Sequence, residues 1–128
     1  MQTQVTQIDL LRDILPEEIF NYFTLEKVEQ QEGNLHFYLE EINTLPAEFS
    51  GRRLESNGFH AESVIRDFPL RGKPTYLHVR RRRWLDLDSK EAVSRNWEAV
   101  AKGTGYTQDF AFFLNELIEF IPYYRTLS

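Results

Sequence analysis

TYLHVRRRRWLDL, residues 75–87, decides how the rest of the chain is read. Leu77 and Val79 alternate with Tyr76 and His78, the period of two that marks a strand with one apolar face. Continued through the basic run, that alternation sends Arg81 and Arg83 to one side and Arg80 and Arg82 to the other. Charge on both faces defeats burial, so this end of the strand is expected to protrude beyond the core.

The neighbouring segments read as partners of this strand. VIRDFPL, from Val64, precedes it across a turn at Arg71-Gly72-Lys73-Pro74, and AVSRNW follows a turn near Asp88-Ser89-Lys90. Further upstream, residues 43–63 carry two glycines, a proline and small polar residues. They read as an irregular connection or an extended arm, which either packs through Leu45, Phe49, Leu54 and Phe59 or once held something else in place. LEKVEQQ and LHFYLEEI flank Glu32-Gly33-Asn34, a β-hairpin whose positive backbone angles fall to Gly and Asn. At the N-terminus, Leu11, Ile14 and Leu15 have helical spacing, and Pro16 opens a second short turn with Ile19, Phe20 and Phe23. Near the C-terminus, Phe110, Phe113, Leu114, Leu117, Ile118 and Ile121 form one apolar helical face, with Thr107 as N-cap and Pro122 as the stop. The expected fold class is α+β.

With 128 residues the chain fits one domain with a modest core. It has no cysteine, which excludes disulfides, a thiol nucleophile and thiolate zinc. No apolar run approaches the roughly 18 residues of a spanning helix, and MQTQVTQIDLL lacks the pattern of a secretory signal, so a cytoplasmic protein is expected. The net charge of −5 is unevenly divided. Residues 1–50 hold ten acids against two bases, residues 51–102 twelve bases against seven acids. A basic middle lies between acidic ends.

The arginine run is the strongest functional candidate, because guanidinium groups bind phosphate in planar, bidentate geometry and a two-stranded ribbon fits a DNA groove. Arg71, Lys73, Arg95 and Lys102 extend the candidate patch. The alternative is an edge strand kept soluble by charge and neutralised by Asp67, Asp86, Asp88 and the acidic N-terminal half. On charge alone the two readings stand level. Trp84 and Trp97 flank the Asp88 turn and fit cross-strand or core packing, stacking on one another or on a base. His36, His60 and His78 fall on three elements without metal-ligand spacing, so no metal and no cofactor is expected. A hydrolytic centre of His60, Asp67 and His78 is the remote third class. Phosphate loops, nucleophile elbows and paired-cysteine motifs are absent from the sequence.

The run GFHAESVIRDFPLRGKPTYLHVRRRRW, followed by AVSRNWEAVAKGTGYTQDFAFFL, resembles the N-terminal region protein of a group of bacterial insertion-sequence transposases. In that group a separate frame for this protein precedes the DDE-type catalytic part. The likeness spans about residues 10–117. A more distant similarity is to one-chain transposases with an N-terminal zinc finger. There Asp67-Phe68-Pro69, Gly72 and Arg82-Arg83-Trp84 match in place, while residues 55–58 and 85–91 lack the cysteines. The resemblance implies a zinc-ribbon-like set of antiparallel strands whose metal is replaced by packing of Trp84, Trp97 and Phe59. It divides the single domain into helices and hairpin (1–42), ribbon segment (43–100) and C-terminal helix (104–122). Gly105 stands where relatives more often carry a base, which implies one phosphate contact fewer.

Two functions follow from the resemblance. One is a non-catalytic module that binds DNA at element ends through Arg80, Arg81, Arg82 and Arg83, while a partner chain supplies the DDE acids. In this reading the C-terminal helix begins a helix-turn-helix completed by the partner, so its apolar stripe is expected to be under-buried. The other is an interaction or regulatory protein that binds the catalytic chain without touching DNA. Neither involves a membrane, and both leave room for a homodimer.

Overall fold

The computed structural model describes residues 11–70 and 74–121; among these its architecture is α+β, with two sheets, short 3₁₀ turns and two complete helices. Among the described residues no helix is long and apolar enough to cross a membrane. The first sheet begins with a hairpin of β1 (Phe23–Gln31) and β2 (Asn34–Glu41). Gln31 pairs with Asn34, leaving a two-residue loop, and both loop residues are left-handed, Glu32 at φ 51° and Gly33 at φ 84°. That is the backbone a tight hairpin turn requires. Glu32, not Asn34, takes the angle expected of the asparagine.

The central feature is an antiparallel ribbon that changes sheets halfway along. On one side run β3 (Leu54–Phe59) and β4 (Ser63–Ile65); on the other run β5 (Thr75–Arg80) and β6 (Arg82–Asp86). Below the bend, β4 pairs with β5 and β5 lies parallel to β2, giving a four-stranded sheet of order β1-β2-β5-β4. Above it, β6 pairs with β3 and with β7 (Ala92–Val93), giving a three-stranded sheet of order β3-β6-β7. Strands that pass from one sheet to another through a bend are a usual way to make a corner. Arg81 is the hinge residue.

Several expectations change here. The "irregular connection" contains β3, because its pairing with β6 tolerates Gly58 at positive φ and a register shift between Ser56 and Phe59. AVSRNW is a strand only at Ala92–Val93; Asn96 then caps helix α1 (Trp97–Ala101) by accepting from the Ala99 N–H at 3.1 Å. Pro16 is the residue before the 3₁₀ turn Glu17–Asn21 rather than its first member. The ribbon segment is not self-contained, since β5 joins the N-terminal hairpin in parallel.

One apolar face of the four-stranded sheet builds the core. Phe37, Leu39, Ile65, Leu77 and Val79 meet Leu15, Ile19, Phe23, Phe68 and Trp97. Helix α2 (Gln108–Glu119) covers them with Phe110, Phe113, Leu114 and Leu117, all essentially inaccessible. Thr107 caps it as expected: Oγ1 accepts from the Phe110 N–H at 3.2 Å, and the Glu18 carboxylate in turn accepts from the Thr107 N–H at 2.8 Å. The expected under-burial of the α2 stripe is therefore overturned. The chain's own sheet fills the place reserved for a partner's helix.

Trp84 and Trp97 do not replace a metal together. Trp97 stacks on Phe23, centroids 5.4 Å apart, inside the main core. Trp84 is buried in the smaller sheet and donates Nε1–H to Asn43 Oδ1 at 2.8 Å. Phe113→Ala is expected to cost about 3–5 kcal/mol in urea denaturation of the isolated chain. A loss below about 1 kcal/mol would mean that the helix is not packed without a partner.

Candidate functional site

The arginines divide as the strand period requires, yet they do not protrude. Arg80 and Arg82 lie over the same Phe59 ring, their guanidinium carbons 4.2 and 4.6 Å from its centroid. Arg80 also pairs with Glu40 at 2.6 Å and is the open member of the run, its side chain 46% exposed. Arg82 is pinned, donating from Nε to the Glu41 carbonyl at 3.1 Å and from Nη1 to Ser56 Oγ at 2.8 Å. On the other side, Arg81 is only 7% exposed, and Arg83 is half-buried beside Gly58. The protrusion expected from charge on both faces fails because Glu41, itself 1% exposed, supplies a buried counter-charge to Arg81.

Arg95 does not extend an exposed patch either. Its Nε donates to Glu41 Oε2 at 2.8 Å, its Nη2 to the Thr44 carbonyl at 3.0 Å, and its plane lies over Tyr22 and Trp97. Lys102 is exposed at the end of α1, on a separate element. Arg71 and Lys73 lie outside the described residues. Asp86 and Asp88 do neutralise arginines, but those of residues 52 and 53 rather than the run: Arg52 pairs with Asp86, and Arg53 with Asp88 at 2.7 Å. The Arg52 guanidinium, with the N–H groups of Asp88 and Ser89, holds the Asp86 carboxyl below its ordinary range.

Two histidines that stand 42 positions apart meet across the parallel β2–β5 pair. His36 Nδ1 and His78 Nε2 are 2.8 Å apart, and His78 Nδ1 is 3.0 Å from Glu62 Oε1. His36 stacks on Tyr76 and His78 on Tyr38, a ladder of rings on the sheet face opposite the core. The period-two spacing of His36 with Tyr38 and of Tyr76 with His78 was legible in the sequence. Only the parallel register brings the two pairs together. No group of three or more His, Cys, Asp or Glu among the described residues is placed to hold a metal.

His60 stands apart from that ladder, and its hydrogen bond is to Ser94 Oγ, 2.6 Å from Nε2. Its backbone N–H donates to the Arg81 carbonyl at 2.8 Å, closing the ladder at the bend. Burial, then the charges of Arg81 and Arg83, hold its imidazole down to about 4. The His60, Asp67 and His78 triple is thus not assembled, because His60 turns to Ser94 and His78 to Glu62.

Comparison of the chain with protein-family models, curated proteins and solved structures returns no match.

A neutral His60 makes stability depend on pH with a definite sign. The folded value lies below the ordinary 6.5, so the contribution is fully present above pH 6.5 and is lost as pH falls through about 4. Urea midpoints measured at pH 7 and pH 4.5 are expected to fall further in the wild type than in His60→Gln. Equal losses would contradict a buried neutral imidazole.

Proposed function

We propose that this chain is a non-catalytic, nucleic-acid-binding accessory module of a bacterial insertion-sequence transposase, working in the cytoplasm on the terminal repeats of its element. A partner chain would supply the DDE acids. The observation that carries this reading is the ledge at the ribbon bend: Arg80 and Arg82 lie over the half-buried ring of Phe59, the last residue of β3, which is the edge strand of its sheet. Guanidinium groups on an aromatic platform suit a phosphate backbone and adjacent bases. The likeness of RRRRW, DFPLRGK and RNW to the transposase group supports it independently. The contact set narrows from the whole run to Arg80 and Arg82, with Arg81 and Arg95 beside Glu41 at the bend that presents them.

The burial of the α2 stripe removes the helix-turn-helix from this proposal. A second reading, in which the ledge meets acidic side chains of the catalytic chain, is favoured by the existing Arg80–Glu40 pair, since one carboxylate can be exchanged for another. Salt separates the two. Two phosphate contacts contribute about −1.8 to the slope of log affinity against log salt. Binding of a terminal-repeat duplex between 50 and 200 mM salt is expected to lose that share of its slope in Arg80→Gln/Arg82→Gln and to keep it in Arg53→Gln. No detectable binding at 50 mM, or an unchanged slope in the double variant, sinks the DNA reading.

A further inference from the structure

On the side of the bend opposite the ledge lies a half-open cavity of about 590 Å³, lined among others by His60, Arg81, Ser94, Arg95, Phe120 and Ile121. We propose that this cavity binds a phosphomonoester, with the tetrahedral oxyanion held by Arg81, Arg95 and the Ser94 hydroxyl and the organic part against Phe120 and Ile121. Planar guanidinium groups are the side chains best matched to such an oxyanion. Arg95 is already oriented by Glu41 and Thr44, so little ordering remains to oppose binding. The acid on the lining, Glu62, directs a carboxylate oxygen to His78 Nδ1. Phe120 is 45% exposed at the end of α2, an apolar surface at the mouth with no core role.

His60 distinguishes binding from catalysis. A serine hydroxyl 2.6 Å from an imidazole looks like a nucleophile and its base. The imidazolium formed in such a reaction would face Arg81 and Arg83 at reduced solvation, the same causes that keep the ring neutral. An anion in the cavity offsets that field. Oxyanion binding is therefore coupled to proton uptake on His60, with Arg81, Arg83, Arg95, Glu62 and Ser94 as the surrounding polar groups and the Glu41 carboxylate behind Arg81 and Arg95.

The test follows the His60 ring resonance of the full chain during titration, against sodium chloride at equal ionic strength. Sulfate, dianionic throughout, is expected to bind saturably and roughly tenfold more tightly at pH 5 than at pH 8, because the anion-bound form takes up a proton on His60. Phenyl phosphate should bind more tightly than sulfate. Ser94→Ala should weaken it roughly tenfold, and Phe120→Ala should weaken phenyl phosphate while leaving sulfate unchanged. A short duplex bearing a 5′-phosphate that competes, where the unphosphorylated duplex does not, identifies a strand end as the source; competition by neither identifies a small phosphomonoester. A response matched by sodium chloride, or phenyl phosphate binding untouched by both variants, overturns the proposal.

Discussion

The carboxylate of Glu41 is the joint between the two sheets. It ends β2 of the larger sheet with its side chain turned inward, and its Oε1 accepts the Arg82 N–H at 2.9 Å, at the first residue of β6 in the smaller sheet. Its Oε2 accepts from Arg95, and its own carbonyl accepts from Arg82 Nε. A backbone N–H at a strand bend loses its ladder partner and must find another. Here a side chain four strands earlier in sequence supplies it. Isolating a carboxylate from water costs several kcal/mol unless each oxygen is bonded and a counter-charge is near. Glu41 has both, although burial still pushes its carboxyl above the ordinary range against the pull of Arg82 N–H, Arg95 and Arg81.

The basic run follows from that joint. A bent strand can hold charge on both faces, because one face looks into the seam where Glu41 sits and the other looks out over Phe59. Arg81 and Arg95 thereby become structural cations lining a cavity, while Arg80 remains available to solvent. Part of the positive middle of the sequence is thus internal to the fold: Arg81 is buried and Arg82, Arg83 and Arg95 are half-buried. Arg52, Arg53, Arg80 and Arg95 each hold a carboxylate partner, so a count of bases along the chain overstates the cationic surface that a polyanion meets.

Periodicity carried the local structure well. The Phe110 to Ile121 stripe and its Thr107 cap, the Glu32-Gly33 hairpin and the alternation of Leu77 and Val79 with Tyr76 and His78 were all legible, because each depends on neighbours in sequence. What escaped depends on distant pairing. Nothing in TYLHVR tells a parallel neighbour from an antiparallel one, so the His36–His78 contact and the parallel β2–β5 pair were hidden. The strand at Leu54–Phe59 was missed because its exposed, glycine-bearing sequence lacks an apolar face to betray it. Glu41, next to Glu40 at the end of a hairpin strand, carries no mark of burial in the sequence; its burial is intelligible only once Arg82 and Arg95 are seen to converge on it.

The Glu41–Arg95 pair holds the seam, and a double-mutant cycle of Glu41→Gln and Arg95→Gln in urea denaturation at pH 7 isolates it. Each single variant leaves a buried charge or fork unpaired and is expected to cost about 3 kcal/mol. The double variant should cost less than their sum by about 1–3 kcal/mol. Additivity within about 0.5 kcal/mol would show that the two side chains do not act as one joint and would contradict the seam on which the bend and its divided arginines rest.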